Sequence, residues 1–474
     1  MVRIIIFIIS YLLFRFANAQ EVNIQALSLD DCIDIALQNN LDVKGSALRA
    51  GASEVNLKQA KSELLPSLNG NYSLGITNGR SIDPFTNDYI NQQLTYSNAG
   101  LNLNMVVFNG FRILNTIKQS RLNMQAADME LLETRQTLVL DVTLAYIQVL
   151  NNRDRVLLSQ SQMETTRKQL NRLQVLYREE TGNPADYNDM QGQLASDKMN
   201  LISAQNALQE SVLNLLQLMN NNTDPKNTLT FKNLEGLTDT QKYTPSSDDV
   251  FNEALKNLAT FKSKELRVEA ANSGIKAARS GYFPEIAVFG QLNTNYSSAA
   301  ETFTQTGTLV EETGDFININ DDIFPVLRNN ALFEADKISY NDQFENNLNS
   351  TVGISVSIPL FNGFRTKNAV ALKKIETEEA KVTLQNTRLQ LKQAVETAYM
   401  NMEAAYNRYY ILKDQAKAFE ESFRINEIRY NNGVSNVVEY ITSKNNLDTA
   451  RLNLSNARYE YLLRVKILDY YRGV

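Results

Sequence analysis

Histidine is absent from all 474 residues, and cysteine occurs once, as Cys32. Without imidazole, general acid–base catalysis, activation of a serine nucleophile and most zinc sites lose their commonest participant. Cys32 has no partner for an internal disulfide. In the run LDDCIDIAL it falls on the apolar side of a predicted helix and reads as a small packed hydrophobe, not a nucleophile. Carboxylates and lysines remain, but no two acids share a pocket-like context, so no enzyme, cofactor or metal is expected. The densest acidic stretch runs from Glu301 to Glu345, with ten acids against Arg328 and Lys337. The whole chain carries a formal net charge of −6, from 47 basic and 53 acidic residues, and shows no basic stripe. A nucleic-acid partner is therefore not expected.

The elements that would carry these residues begin with an exported leader. Arg3, the apolar run Ile4–Phe14 and Ala17-Asn18-Ala19 predict a cleaved secretory signal over 1–19, leaving Gln20 first. An uncleaved anchor helix is the alternative, for which the apolar core is short. No later stretch reaches the ~18 consecutive apolar residues a spanning helix needs.

The remainder is one plan written twice. FNGFR occurs at Phe108–Arg112 and again at Phe361–Arg365, an offset of 253 that also relates Tyr146 to Tyr399 and Tyr177 to Tyr430. Upstream, Ala36–Asn39 matches Ala254–Asn257 and Pro66 matches Pro284, at an offset of 218. The 35-residue difference is an insertion in the second copy. The predicted organisation is a first repeat over 20–220, a linker region over 221–245, and a second repeat over 246–474 with a long loop at 297–349. The loop segment DDIFPVLRNNALFEADKISY is too apolar for a mere linker.

Each repeat reads helix, strand, loop, strand, long helix, turn, helix. The long helices are predicted over Arg112–Tyr177 and Arg365–Tyr430, each 66 residues without Pro or Gly, or about 100 Å. Val142, Val149, Val156, Met163, Leu170 and Tyr177 recur every seven residues, as do Tyr187, Leu194, Leu201, Leu208 and Leu215; sustained heptads mean coiled-coil seams. The shorter helices, Leu29–Glu63 with Asp186–Asn220 and Ser246–Ser280 with Val437–Tyr471, sum in each copy to 70 residues, close to the 66 of the long helix they accompany. Four strands alternate. Leu68, Tyr72, Leu74 and Ile76 oppose Asn69, Asn71 and Ser73, and Val352, Ile354, Val356 and Ile358 oppose Thr351, Gly353, Ser355 and Ser357. Such segments suit a transmembrane barrel or, equally, a half-buried soluble sheet. Four strands are too few to close a barrel, so a membrane reading requires several chains.

Taken together, the duplicated halves, the leader, both FNGFR junctions and Arg429–Leu462 (RYNNGVSNVVEYITSKNNLDTARLNLSNARYEYL) resemble TolC-like outer-membrane efflux proteins over about Leu27–Tyr471. The resemblance implies an α+β membrane protein built from duplicated helix–strand–strand–helix units. Three chains would form a twelve-stranded transmembrane β-barrel continuous with a long periplasmic α-helical coiled-coil barrel. It implies a homotrimer in the outer membrane of a Gram-negative bacterium, contacting outer-membrane lipid and extending into the periplasm. There it would meet a periplasmic adaptor and an inner-membrane pump, as the exit duct of a tripartite efflux or type I secretion system. The region 221–245 would join an equatorial belt, and the long loop would be extracellular, folding over the mouth.

The resemblance also implies that the turns Tyr177–Asp189 and Tyr430–Tyr440 form the periplasmic tip. Tyr177, Gly182, Asn183, Tyr430, Gly433 and Val434 would meet the adaptor, with Gly182 and Gly433 reversing the chain. Glu439 and its counterpart Asp186 would face the aperture; a helix N-cap is the alternative for Asp186. Thr442 occupies the place where a second acid often follows, so one ring is expected. A secreted coiled-coil structural or adhesion protein without a pore is the alternative function. It has no use for strands with small polar faces.

Overall fold

The computed structural model describes residues 26–82, 87, 89–91, 93–221, 230–234 and 241–473. The predicted leader and much of the predicted linker lie outside them. In chain order the elements are α1 (Leu29–Asn39), α2 (Leu41–Ser62), β1 (Ser67–Thr77), β2 (Arg80–Ile82), β3 (Tyr89–Asn91), β4 (Leu94–Asn109), α3 (Arg112–Arg178), α4 (Pro184–Leu218), α5 (Ser247–Asn257) and α6 (Ala259–Arg279). A 3-10 turn at Ser280–Tyr282 leads into β5 (Glu285–Ser297), β6 (Glu301–Ile319), β7 (Asp322–Lys337), α7 (Tyr340–Asn346), β8 (Asn349–Ser357), α8 (Arg365–Asn431) and α9 (Val437–Arg472). The long helices α3 and α8 each span 67 residues, one beyond the expectation.

Two compact units divide the chain. Among the described residues, the first takes those up to Glu54, those of Leu122–Val268 and those from Glu378 onward, and the second those of Val55–Arg121 and Glu269–Thr377. In the first unit, positions related by 218 or 253 fill matching places. Cys32 and Val250 are fully buried, and so are Ala36 and Ala254, Val142 and Val395, and Leu215 and Leu468. Burial pushes the Cys32 thiol up to about 12, which suits a packed residue. Each half ties its flanking chain with a tyrosine hydroxyl: Tyr146 donates to the carbonyls of Leu27 (3.0 Å) and Lys232 (2.7 Å), and Tyr461 to that of Gln241 (2.7 Å).

The opening helices depart from the expectation of unbroken runs. In the first, the chain breaks at Asn40 (φ −59°, ψ 132°), whose side-chain oxygen caps a new helix by accepting from Asp42 N–H at 2.8 Å. In the second it breaks at Leu258 (φ −74°, ψ 127°). Leu258 has no polar side chain to cap with, and Gln136 Oε1 accepts from Ala259 N–H at 3.4 Å instead. Ser28 with Asp31 and Ser246 with Asp249 form capping boxes at the starts of α1 and α5.

In the second unit β1, β4, β5 and β8 form one antiparallel sheet in that order. The register sorts side chains by face, because paired residues share one. One row is Leu68, Leu103, Gly290 and Val352; the next is Asn69, Asn102, Gln291 and Thr351. The apolar face is open to its surroundings, with Leu68, Tyr72, Leu74 and Ile76 61–66% exposed and Val352 82%. A bulge between Val106 and Phe108 keeps Phe108 opposite Ile286 on that face. Both FNGFR segments turn from a strand toward a long helix with two consecutive left-handed residues, Gly110-Phe111 and Gly363-Phe364. Edge-to-face pairs Phe108–Phe111 (5.4 Å) and Phe361–Phe364 (5.6 Å) close both turns.

Most of the predicted 297–349 loop is ordered. β6 and β7 make a separate two-stranded sheet, and α7 packs against β5. Gln343, buried, fixes α7 by accepting from Ser297 N–H (2.9 Å) and donating to the carbonyls of Ser297 (3.0 Å) and Ile338 (2.9 Å).

Candidate functional site

The two turns predicted as the tip lie in the first unit, where the ends of α3, α4 and α9 share one small core of Leu173, Met190, Val437 and Tyr440, and Phe423 and Tyr430 of α8 pack against it. Tyr177 stacks on Tyr187 (5.1 Å), and Tyr430 lies 4.9 Å from Tyr440. Arg172 near the end of α3 donates to the Asn431 carbonyl at 3.3 Å, joining the two turns.

Both turns end their helices in the same way. Residue 180 donates to Tyr177 O at 3.2 Å and Thr181 to Leu176 O at 3.1 Å; Gly433 donates to Tyr430 O at 3.0 Å and Val434 to Arg429 O at 2.9 Å. These are Schellman motifs, in which the left-handed seat falls on Glu180 (φ +57°) and Gly433 (φ +74°). The expectation that Gly182 reverses the chain is therefore corrected. Gly182 has no positive φ; its role is close approach, since a Cβ there would sit 3.1 Å from Leu176.

The alternative for Asp186, a helix N-cap, is not what the structure shows. Asn183 is the N-cap, accepting from Ala185 N–H at 3.1 Å with Pro184 first in the helix, and its amide donates to Asp186 Oδ1 at 3.1 Å. Glu439 holds the matching third position of α9 behind the cap Asn436, which accepts from Glu439 N–H at 2.9 Å. Both acids thus stand where a helix N-terminus favours negative charge. Glu439 is exposed, with Arg429 4.0 Å away. Asp186 is half-buried and acts across the turns. Burial raises the Tyr430 hydroxyl first, a Gln169 hydrogen bond lowers it, and the Asp186 carboxylate raises it further. Val434 is 67% and Tyr177 46% exposed, as an outward contact surface requires.

Two turns inward lies a buried ionic cluster that the sequence reading missed. Lys444 Nζ, on α9 and 2% exposed, meets Asp197 Oδ2 of α4 at 3.1 Å and Asp448 Oδ2 at 2.6 Å. Thr166 of α3 and Gln193 donate to the Asp197 carboxylate. The lysine–aspartate spacing of four inside an apolar seam was the available signal. Among the described residues no cluster of acids, Cys or His has metal-holding geometry.

The sheet's exposed face of Leu, Ile, Val and Tyr and the two FNGFR turns into 67-residue helices have the make-up of an outer-membrane channel subunit. A model of the family described as outer membrane efflux protein matches residues 32–221 and 250–473, and the chain belongs to that family. It is 24% identical over 444 residues to outer membrane protein TolC of Escherichia coli, covering 93% of this chain and 80% of the relative. Its fold is similar to VceC of Vibrio cholerae (TM-score 0.74, 14% identity, 94% of this chain and 96% of that one). It is also similar to the open state of MtrE of Neisseria gonorrhoeae (TM-score 0.70, 17% identity, 94% and 88%). The chain is thus an α+β efflux duct of the Gram-negative outer membrane, a transport protein in a family that is not enzymatic. The pore-free adhesion alternative has no support among these relatives.

Proposed function

We propose that three copies of the chain close one twelve-stranded barrel in the outer membrane and one helical tunnel below it. Cargo then crosses passively, while a periplasmic adaptor and an inner-membrane pump supply energy and control. The carrying observation is the register of β1, β4, β5 and β8, which puts most of the Leu, Ile and Val with Tyr72 on one face and Asn, Gln, Ser and Thr on the other, where Phe289 and Tyr96 lie over Gly353 and Gly75. Lipid suits the first face and water the second. The outer edges of β1 and β8 have no neighbour among the described residues, and open edges are not tolerated in lipid, so copies pair edge to edge. Four strands per chain and three chains give twelve, above the roughly eight that closure needs.

In this reading the repeats are 20–220 and 246–474, joined by an equatorial region 221–245, and the segment 297–349 faces outward. Glu439 and Asp186 line the aperture. Tyr177, Gly182, Asn183, Tyr430, Gly433 and Val434 form the adaptor-facing rim. Light scattering of the detergent-extracted protein tests the assembly, together with single-channel recording. A trimer with discrete conductance is the expected result; a monomer that keeps native circular dichroism without detergent overturns it.

A further inference from the structure

The β6–β7 hairpin is extended, exposed and unaccompanied. Its strands pair from Glu301–Lys337 to Ile319–Asp322, and among the described residues neither outer edge has a neighbouring strand. A two-stranded sheet alone is marginal in water. Odd-numbered positions of β7 and their partners share one face, which gathers Phe303, Val310, Phe316, Ile323, Leu327 and Phe333. Each of these is 58–67% exposed. Gln305, Glu312, Asn318 and Asn329 interrupt this face, but exposed apolar side chains gathered this closely mark an interaction site. The opposite face carries Glu311, Asp322, Glu334 and Asp336 among exposed Leu309, Ile317, Phe324 and Leu332, with Arg328 paired to Glu311.

Charge selects the occupant. Residues 301–337 hold eight acids against Arg328 and Lys337, a net −6 that equals the formal charge of the entire chain, so the rest of the chain is balanced. A second copy of the hairpin would bring another −6 against the first, and like charges across strands are destabilising. An anionic lipid surface is repelled likewise. No lysine stands between Thr302 and Asp336 to guard the edges against strand addition.

We propose that the β6–β7 hairpin is a docking surface for an extended basic segment of another protein. That segment adds a strand to a free edge, lays alternate apolar side chains along the Phe303–Phe333 face and sets Lys or Arg against Glu311, Glu334 and Asp336. The inference needs neither the pore nor the gate, so it stands or falls apart from the duct.

The test uses the full-length, detergent-extracted protein and a labelled twelve-residue peptide of alternating valine and arginine. Binding is read by fluorescence anisotropy and by hydrogen exchange of the hairpin amides. The Val/Arg peptide should bind, slow exchange between Thr302 and Asp336 at least tenfold, and weaken with salt. The triple variant Glu311→Gln, Glu334→Gln, Asp336→Asn should lose affinity at least tenfold while eluting at the wild-type assembly size. So should Phe316→Ser with Phe333→Ser. A Val/Glu peptide should not bind. The proposal is overturned by absence of binding, or by equal binding when residues 303–335 are replaced with a Gly/Ser linker. Equal binding of a Ser/Arg peptide without slowed exchange would reduce it to counterion attraction and overturn it too. Outward-facing edge amides already protected without peptide would assign the edge to another copy of this chain and equally sink it.

Discussion

Glu180 and Gly433 hold the same seat in two helix-ending turns 253 residues apart. Each takes a left-handed backbone, at φ +57° and +74°, and each donates its N–H to the tyrosine three residues before it, Tyr177 or Tyr430. Only Gly433 occupies the seat without a Cβ penalty. Glu180→Gly should therefore stabilise the first turn by about 1 kcal/mol, and Gly433→Ala should cost the second a similar amount. The corresponding readout is about fivefold slower exchange at Thr181 N–H and about fivefold faster exchange at Val434 N–H. No change at either amide would show that neighbouring packing, not backbone strain, sets the stability of these turns.

The error over Gly182 shows where sequence reading runs out. Counting from Tyr177 as from Tyr430 leads to residue 180, but glutamate carries no mark of a left-handed seat, and the nearby glycine drew the assignment. Long helices without Pro or Gly, and strands whose alternation agrees across four segments, are legible because backbone periodicity alone determines them. The breaks at Asn40 and Leu258 were not, because the second is capped by Gln136 from a distant helix. Lys444 reads as a solvated charge until three helices are known to meet around it. Asp186 was legible in position but not in role, since Asn183 takes the cap.

The Lys444 cluster should behave as a buried pair whose members depend on each other. Asp197→Ala leaves the ammonium of Lys444 facing only Asp448 and should cost roughly 3–5 kcal/mol. Asp197→Asn, which retains hydrogen bonding toward Thr166 and Gln193, should cost less. Lys444→Met combined with Asp197→Leu should recover much of the single-mutant loss. Denaturant midpoints of these variants, of the wild type and of the single Lys444→Met and Asp197→Leu variants decide this, and additive single and double effects would contradict coupling.

Acid should loosen α1 and α5 before the helix ends around Lys444. The Ser28 hydroxyl and backbone N–H hold the Asp31 carboxyl low, and Ser246 does the same for Asp249. A depressed folded pKa means that this stability is present above the ordinary carboxylate range and is lost as pH falls through the lowered values. Asp448 runs the other way. Burial raises it against the pull of Lys444, so its contribution is fullest in acid and declines as pH rises. Protection from exchange in α1 and α5, taken relative to the intrinsic amide rate, should fall below about pH 4, and Asp31→Asn with Asp249→Asn should flatten that dependence. Uniform loss of protection over all helices would refute the assignment.

Neighbouring residues of β8 should respond oppositely to charge. Ile354 pairs with Val288 on the apolar face and Ser355 with Ala287 on the other. In a barrel, Ile354→Arg near the bilayer midplane should cost about 2–4 kcal/mol per chain and block assembly, while Ser355→Arg points into water and should be far milder. Trimer yield after detergent extraction measures both, and equal damage would contradict the faces as placed.

Glu439 offers the sharpest test of the aperture. It stands third in α9, exposed, with only a long 4.0 Å approach from Arg429, so its charge is free to act on the surroundings. Three such carboxylates around one axis would attract cations and bind divalent ions that obstruct the pore. Glu439→Gln should leave trimer assembly intact, reduce cation preference and relieve divalent block in planar-bilayer recordings. Asp186→Asn should do the same if the half-buried Asp186 also reaches the axis. The helix start should tolerate the change, because Asn183 rather than Asp186 supplies the cap. If selectivity and block are unchanged in both variants and in their combination, the constriction is not acidic, and the rim residues Tyr177 and Val434 become the next positions to probe.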